Sequence, residues 1–278
     1  MKSEKNSQYI MTKDELHRLQ RVQLELINEV KRICDKHNIK FNMVGGTMLG
    51  AIRHKGYIPW DDDADIGFLR SEYDRFLDVC KTELDENRFY VQDCRYTQGY
   101  RWGYGKLRRK GTAFVRLGQE HMPYEQCVSI DLMPFDGVPD QPIMRKIHFF
   151  KCFCYRKLFW SSVGKTTEKS KLIRVWYQII SRIPEKIVYG SYQRFINKSN
   201  RYNTKLVRIL TFPTPKKCYG YDRRWYEELT NYQFEDIELP GAIDYDGYLK
   251  VKYGNYMELP PEEKRKIHPI SKLKLLEE

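Results

Sequence analysis

The segment Trp60-Asp61-Asp62-Asp63-Ala64-Asp65-Ile66-Gly67-Phe68 sets four carboxylates between aromatic and aliphatic side chains. A fold that buries Ile66 and Phe68 must carry those acids to the edge of its core, where bare charge is expensive. Residues two apart in an extended chain point to the same side, so Asp61, Asp63 and Asp65 are expected to project together, with Asp62 and Ala64 opposite. Three neighbouring carboxylates repel one another unless a cation lies between them. Hard divalent ions, Mg²⁺ or Mn²⁺, take such oxygen ligands, and Mg²⁺ also bridges substrate phosphates. A solvated acidic loop with helix-capping duty is the alternative, and the apolar flanks weigh against it.

The surrounding chain reads as an alternation of helices and strands. Thr12 and Glu15 have capping-box spacing, and Leu16, Leu19, Val22, Leu26, Val30 and Ile33 recur at three- and four-residue steps, which predicts a helix ending near Lys36. Residues 41–44 read as a buried strand stopped by Gly45-Gly46, residues 47–54 as a helix, and 65–69 as a second strand. Ser71 with Asp74 is expected to start a helix running to about Leu84. Short strands are expected at 89–92, 104–107, 113–116 and 127–131. Pro134, Gly137, Pro139 and Pro142 punctuate the chain and suggest a boundary. Beyond it, residues 143–160 and 171–180 are apolar, aromatic and basic with helical character. Residues 213–261, rich in Tyr, Gly and Pro, look loop-heavy. The reading is an α+β catalytic core over 1–140 and a helical, loop-rich elaboration over 141–278 that packs on it, on the acceptor or membrane side.

A formal net charge of +12 over 278 residues favours anionic partners without choosing among nucleotides, phosphorylated glycans, lipid headgroups and nucleic acid. The seven cysteines are scattered without a C-x-x-C pair, and the N-terminal residues contain no apolar leader segment. Free thiols in a reducing cytoplasm are therefore expected, without a structural zinc site. No uninterrupted apolar run reaches the ~18 residues of a membrane span.

Two more features join the acidic run. Gly45-Gly46-Thr47 lets the backbone approach a ligand and opens a helix whose free N–H groups suit a phosphate. Asp131 stands between Ile130 and Leu132, an acid in an apolar strand. Gly-Gly, then D-x-D seventeen residues later, then a distant apolar-Asp-apolar strand resembles the nucleotidyltransferase superfamily, whose members bind one or two divalent ions with these three acids. The resemblance implies a nucleotidyltransferase-like mixed sheet flanked by helices. Residues 45–67 (GGTMLGAIRHKGYIPWDDDADIG) are similar to the signature of the LicD family, as are Lys106-Leu107-Arg108 with Thr112, residues 130–137 (IDLMPFDG), and Tyr253-Gly254-Asn255-Tyr256-Met257 with Pro260, Pro261 and His268. Residues 143–210 carry no nameable likeness.

The resemblance implies transfer of phosphocholine, or a related phospho-alcohol such as phosphoethanolamine, from a CDP-linked donor such as CDP-choline to a sugar hydroxyl. The acceptor would be a cell-surface glycan (teichoic acid, lipopolysaccharide or capsule), lipid-linked or free, and CMP is released. On that reading Asp63 and Asp65 are metal ligands and Asp61 an additional one. Asp131 is either the third ligand or the base that accepts the sugar proton. Gly45, Gly46 and Thr47 would hold donor phosphate, and Arg53, Lys106 and Arg108 would clamp it, unless they are solvated cations. Aromatic residues near the motifs, Tyr57, Trp60, Trp102 and Tyr104, are candidates for a cage around a quaternary ammonium; His54 reads as structural. The basic aromatic segment 143–160 suits peripheral attachment to the inner face of the cytoplasmic membrane as well as it suits a core helix. Two alternatives stay open: a nucleotidyltransferase acting on a small molecule or RNA, although no RNA-binding signature is present, and a non-catalytic membrane-surface or glycan-binding protein.

Overall fold

The computed structural model describes residues 8–265 and 267–277; residues 1–7 of the segment read for a leader lie outside them. Helix α1 (Lys13–His37) opens on the capping box, Glu15 N donating to Thr12 Oγ1 over 3.2 Å and Thr12 N to Glu15 Oε2 over 2.8 Å. It ends where Asn38 turns left-handed at φ 49°. Leu26, Ile27, Val30 and Ile33 are fully buried along one face, and burial of each such side chain stabilises by roughly 1.5–3 kcal/mol.

After β1 (Asn42–Met43), α2 (Gly45–His54) and β2 (Asp65–Leu69), α3 (Arg70–Glu83) starts one residue before the expected Ser71 and has no side-chain cap. Arg70 is drawn inward instead. Its guanidinium donates twice, over 2.8 Å each, to the buried Asp136 carboxylate, and this pins the start of α3 to the sheet. Strands β3 (Phe89–Gln92), β4 (Gly105–Arg109), β5 (Ala113–Arg116) and β6 (Ser129–Val138) follow. The expected strand at 127–131 is longer than its Pro134 and Gly137 suggested. Asp131 N donates to Ala64 on the β2 side, so by alternation residue 134 faces the other edge. There β4 covers only residues 129–132, and the next partner begins at Asp136, so no ladder bond is lost at Pro134.

Helices α4 (Pro142–Thr167), α5 (Lys171–Ile180) and α6 (Glu185–Ser199) come next, then β7 (Leu206–Arg208), β8 (Tyr221–Asp222) and α7 (Arg224–Glu227). The stretch expected to be loop-heavy holds a hairpin, β9 (Leu229–Phe234) and β10 (Ile237–Ala242), and α8 (Tyr245–Tyr253). Its turn uses Glu235 at φ 55° rather than Gly or Asn, so the usual hairpin cue is missing. Finally β11 (Ile270–Lys274) returns to pair with β5.

The result is α+β. The main sheet runs β1-β2-β6-β4-β3, with β7 pairing the far end of β6 and β8 beyond it. β2 and β6 are parallel; the other neighbours are antiparallel. The principal core joins α1 and the sheet to Phe234, Leu239, Tyr248 and Leu249 from the second half of the chain. A satellite core lies between α4 and α6, around Cys152, Phe159, Val188 and Tyr192. All seven cysteines are unpaired. Among the described residues no helix is long and apolar enough to cross a membrane.

Candidate active site

Sheet register builds the site. Asp65 on β2 lies opposite Asp131 on β6, and Lys106 on β4 lies opposite Asp131 from the other side. Three charged side chains thus form a row across three strands on one face, with neighbouring strands ~4.8 Å apart. Lys106 Nζ donates to Asp131 Oδ1. Asp63, just before β2, has Arg116 Nη2 at 3.8 Å and His268 Nδ1 at 3.6 Å from its Oδ2.

The glycine pair lets the start of α2 lie against the acids. A Cβ at Gly45 would stand 2.7 Å from Asp65 Oδ2, and one at Gly46 would stand 2.6 Å from Asp61 Oδ2. Gly45 also needs its left-handed φ of 60°. The positive end of the α2 dipole therefore faces these carboxylates. The Gly45 N–H is taken by the Tyr248 hydroxyl at 2.8 Å, and the Thr47 hydroxyl accepts from Asp65 N at 2.8 Å. In this arrangement both groups hold protein partners at the positions read from the sequence as phosphate contacts.

Burial and mutual repulsion dominate the electrostatics. Burial first, then the Asp63 and Asp131 carboxylates, push Asp65 well above the ordinary carboxylate range, against the pull of Lys252 and Lys106. Burial also raises Asp63, although His268 opposes it. Asp61 is raised to about 8 by burial and by neighbouring Asp63. Lys106 is lowered by its own burial despite Asp131. A carboxylate cluster this reluctant to ionise lacks positive charge, and a hard divalent cation supplies that charge with suitable oxygen ligands. Asp63, Asp65 and Asp131 bring carboxylates of the kind such an ion takes to one cleft, while among the described residues the ligand atoms that already lie within 4.8 Å of one another are those of Asp62, Asp63 and His268.

The acids open into a cleft of about 440 Å³, whose walls include Asp63, Asp65, Asp131, Lys106, Arg108 and Arg116. Arg108 is buried and already donates to Gln92 Oε1 at 2.8 Å and to the Cys127 carbonyl. Arg53 and Trp60 are not among those walls. Arg53 donates to the Tyr256 carbonyl at 2.9 Å, and its guanidinium lies 6.0 Å from the Trp60 ring centroid, with Arg265 at 4.6 Å from the same centroid. His54 sits edge-on to Trp60, its centroid 6.1 Å away.

Several wall residues escaped the sequence reading. Asp62, expected to face away, is fully buried and accepts from His268 N at 3.1 Å and Nδ1 at 2.8 Å. Asp62, Asp63 and His268 offer ligand atoms within 4.8 Å of one another. Strict alternation fails here because regular strand begins only at Asp65. Trp102 and Tyr104, two of the aromatic residues read from the sequence as cage candidates, do line the cleft, and with Trp160 and Phe212 they form the partition to a second cavity of about 310 Å³. Their rings are mutually inclined: Trp102–Trp160 centroids lie 5.9 Å apart at 66°, and Tyr104–Phe212 centroids 5.1 Å apart at 72°. Lys106 Nζ is 5.4 Å from the Tyr104 centroid, so the aromatic walls begin next to the acids. Trp160 and Phe212 lie outside the recognised motifs and had no local signal. Tyr57 is buried elsewhere, against Phe234.

Residues 38–157 match the family profile described as LicD/FKTN/FKRP, nucleotidyltransferase domain. Over 276 residues the chain is 27% identical to the lipopolysaccharide cholinephosphotransferase LicD of Haemophilus influenzae, covering 96% of this chain and all of that protein. A shorter likeness, 40% identity over 73 residues, links it to an uncharacterised protein of Rickettsia typhi, covering 24% of each.

Proposed function

We propose that this chain, which carries the LicD-family nucleotidyltransferase domain, transfers phosphocholine or a related phospho-alcohol from a CDP-linked donor to a sugar hydroxyl of a cell-surface glycan, releasing CMP. The observation that carries this reading is one cleft whose wall holds acids and, next to them, inclined aromatic rings. Such a shape matches a donor with an anionic phosphate beside an organic cation.

Asp63, Asp65 and Asp131 would hold Mg²⁺ or Mn²⁺, with Asp61 as a further ligand. When bound, the ion neutralises phosphate charge and draws off charge developing on the leaving CMP. Lys106 holds one oxygen of Asp131, and the other would be the one offered to the ion. Arg116 and Arg108 add positive charge along the wall. The face of Tyr104 already tolerates a cation, Lys106, and with Trp102, Trp160 and Phe212 it offers a trimethylammonium group several π surfaces. The sugar oxygen forms the new bond to phosphorus as the bond to CMP breaks. The hydroxyl proton passes to Asp131, if that carboxylate serves as the base rather than as the third ligand.

The test is CMP release with Mg²⁺, a panel of CDP-choline, CDP-ethanolamine and CDP-polyols, and lipopolysaccharide or teichoic acid as acceptor. Wild-type protein is expected to release CMP with at least one pair; no release above an Asp63→Asn, Asp65→Asn double variant would overturn the assignment. Trp102→Ala should raise KM for CDP-choline more than for CDP-ethanolamine.

A further inference from the structure

Helix α5 presents its apolar side outward. Tyr177 is its one buried residue; its ring packs where a Cβ at Gly164 of α4 would stand 2.5 Å away, and its hydroxyl accepts from Lys157 Nζ at 3.3 Å. On the opposite side Leu172 is 85% exposed, Ile179 60% and Val175 51%; Trp176, 45% exposed, stands at the margin of this stripe with its ring 5.0 Å from that of Tyr177. An amphipathic helix on a protein surface normally turns that stripe inward. The first half of α4 repeats the inversion. Ile143, Ile147 and Phe150, at steps of four and three, are exposed, while Cys152 and Phe159 face the satellite core on the other side.

The charge on this surface has one sign. Between residues 142 and 180 the chain has nine Lys or Arg, of which Lys146, Lys151, Lys169 and Lys171 are exposed, and a single acid, Glu168, which lies between the two helices. A second copy of the chain would bring the same positive surface against itself. A protein partner with an apolar groove would gain nothing from cations spread along both helices. An anionic bilayer satisfies both features at once: rings and aliphatic chains enter the headgroup–acyl boundary, and lysine and arginine stay at the phosphates. Neither helix is a membrane span, so both would lie in the plane of the surface.

We propose that α4 and α5 form a membrane-docking face that seats the protein on an anionic lipid bilayer, with Leu172, Val175, Trp176 and Ile179 inserted and the flanking cations at the headgroups. This does not depend on the nature of the phospho-alcohol. The docking face and the site share α4: Trp160 lines the catalytic cleft, and Arg156 and Lys157 line the adjoining cavity. A docked molecule would therefore hold its cleft close to the bilayer.

The full chain should co-sediment with phosphatidylcholine–phosphatidylglycerol vesicles and not with phosphatidylcholine alone, with binding falling as salt rises, and its tryptophan emission should shift to the blue on binding. Trp176→Ser with Ile179→Ser, and separately Arg174→Glu, should each weaken partitioning by about tenfold. The melting midpoint of each variant serves as the control for folding. Equal sedimentation with and without anionic vesicles would overturn the proposal. So would binding that is unchanged in correctly folded variants, or a dimer in sedimentation velocity that Trp176→Ser dissolves. CMP release on a water-soluble acceptor reads the catalytic proposal separately.

Discussion

Asp65 sits under the combined repulsion of two neighbouring carboxylates in the cleft. It is half-buried, flanked by Asp63 and Asp131, and only partly offset by Lys252 and Lys106. Asp65→Asn keeps the shape and removes one like charge. Without divalent ion the variant should melt above wild type, and the rise in midpoint that Mg²⁺ gives wild type should disappear. CMP release should fall about a hundredfold or more. Paired melts in EDTA and in Mg²⁺ check this; a wild-type midpoint indifferent to Mg²⁺ would count against the ligand assignment. The same charges fix a pH dependence. Asp61 is raised to about 8 in the folded protein, so between its ordinary value near 4 and about 8 the native state binds more protons than the unfolded state. Metal-free stability therefore declines as pH rises through that window, while metal binding is favoured by deprotonation. The gap between the Mg²⁺ and EDTA midpoints should widen from pH 5.5 to pH 8. These acids were legible in the sequence because four carboxylates beside Ile66 and Phe68 have few inexpensive explanations. Asp62 was misjudged because its partner, His268, lies 206 positions away, beyond the reach of any local pattern.

Elements whose partners lie close in sequence, or whose period is strong, could be read directly. α1 announces itself through its cap and its buried stripe, and β2 through its apolar run. The β9–β10 hairpin could not be read this way. Glu235 holds its left-handed turn because its side chain is engaged, Oε1 accepting from Tyr57 N at 2.8 Å, a tertiary contact that substitutes for glycine. Pro134 misled for a related reason: whether a proline breaks a strand depends on which neighbours flank it, and a single chain does not display its neighbours. β2 also shows how tightly the acid-bearing elements are packed. A Cβ at Gly67 would stand 2.5 Å from Val44 Cγ1, 3.0 Å from Asn42 Oδ1 and 3.1 Å from Phe135 Cε2. Gly67→Ala should cost about 1–3 kcal/mol through overpacking, seen as a lower urea midpoint with unchanged slope. Because Asp65 rides on the same strand, CMP release should fall too; an unaltered urea midpoint would mean that β1 and β6 yield without strain.

At the scale of the whole molecule, the second half of the chain closes over the acids supplied by the first. Tyr248 on α8 meets Gly45, β11 pairs with β5, and between them His268 reaches Asp62. Long-range closure of this kind leaves only fragments in a sequence, which is why the motif containing Tyr253 and His268 could be recognised without showing what it touches. His268 and Pro269 both stand in the cleft wall, so the closure shapes the site as well as stabilising it. Asp62 is a buried carboxylate that accepts from both the backbone and the ring of His268. His268→Ala removes the ring bond and leaves the backbone bond. Since the His268 side chain is half-exposed, the loss should be modest, about 1–2 kcal/mol in urea unfolding. The effect on turnover should be larger than that energy suggests, because the wall beside Asp63 loses the group that positions it. If His268 served only to tie down the C-terminal segment, CMP release at saturating donor would survive the substitution at temperatures well below the melt. A drop in kcat there, with the circular dichroism spectrum unchanged, would place His268 in the positioning of Asp62 and Asp63.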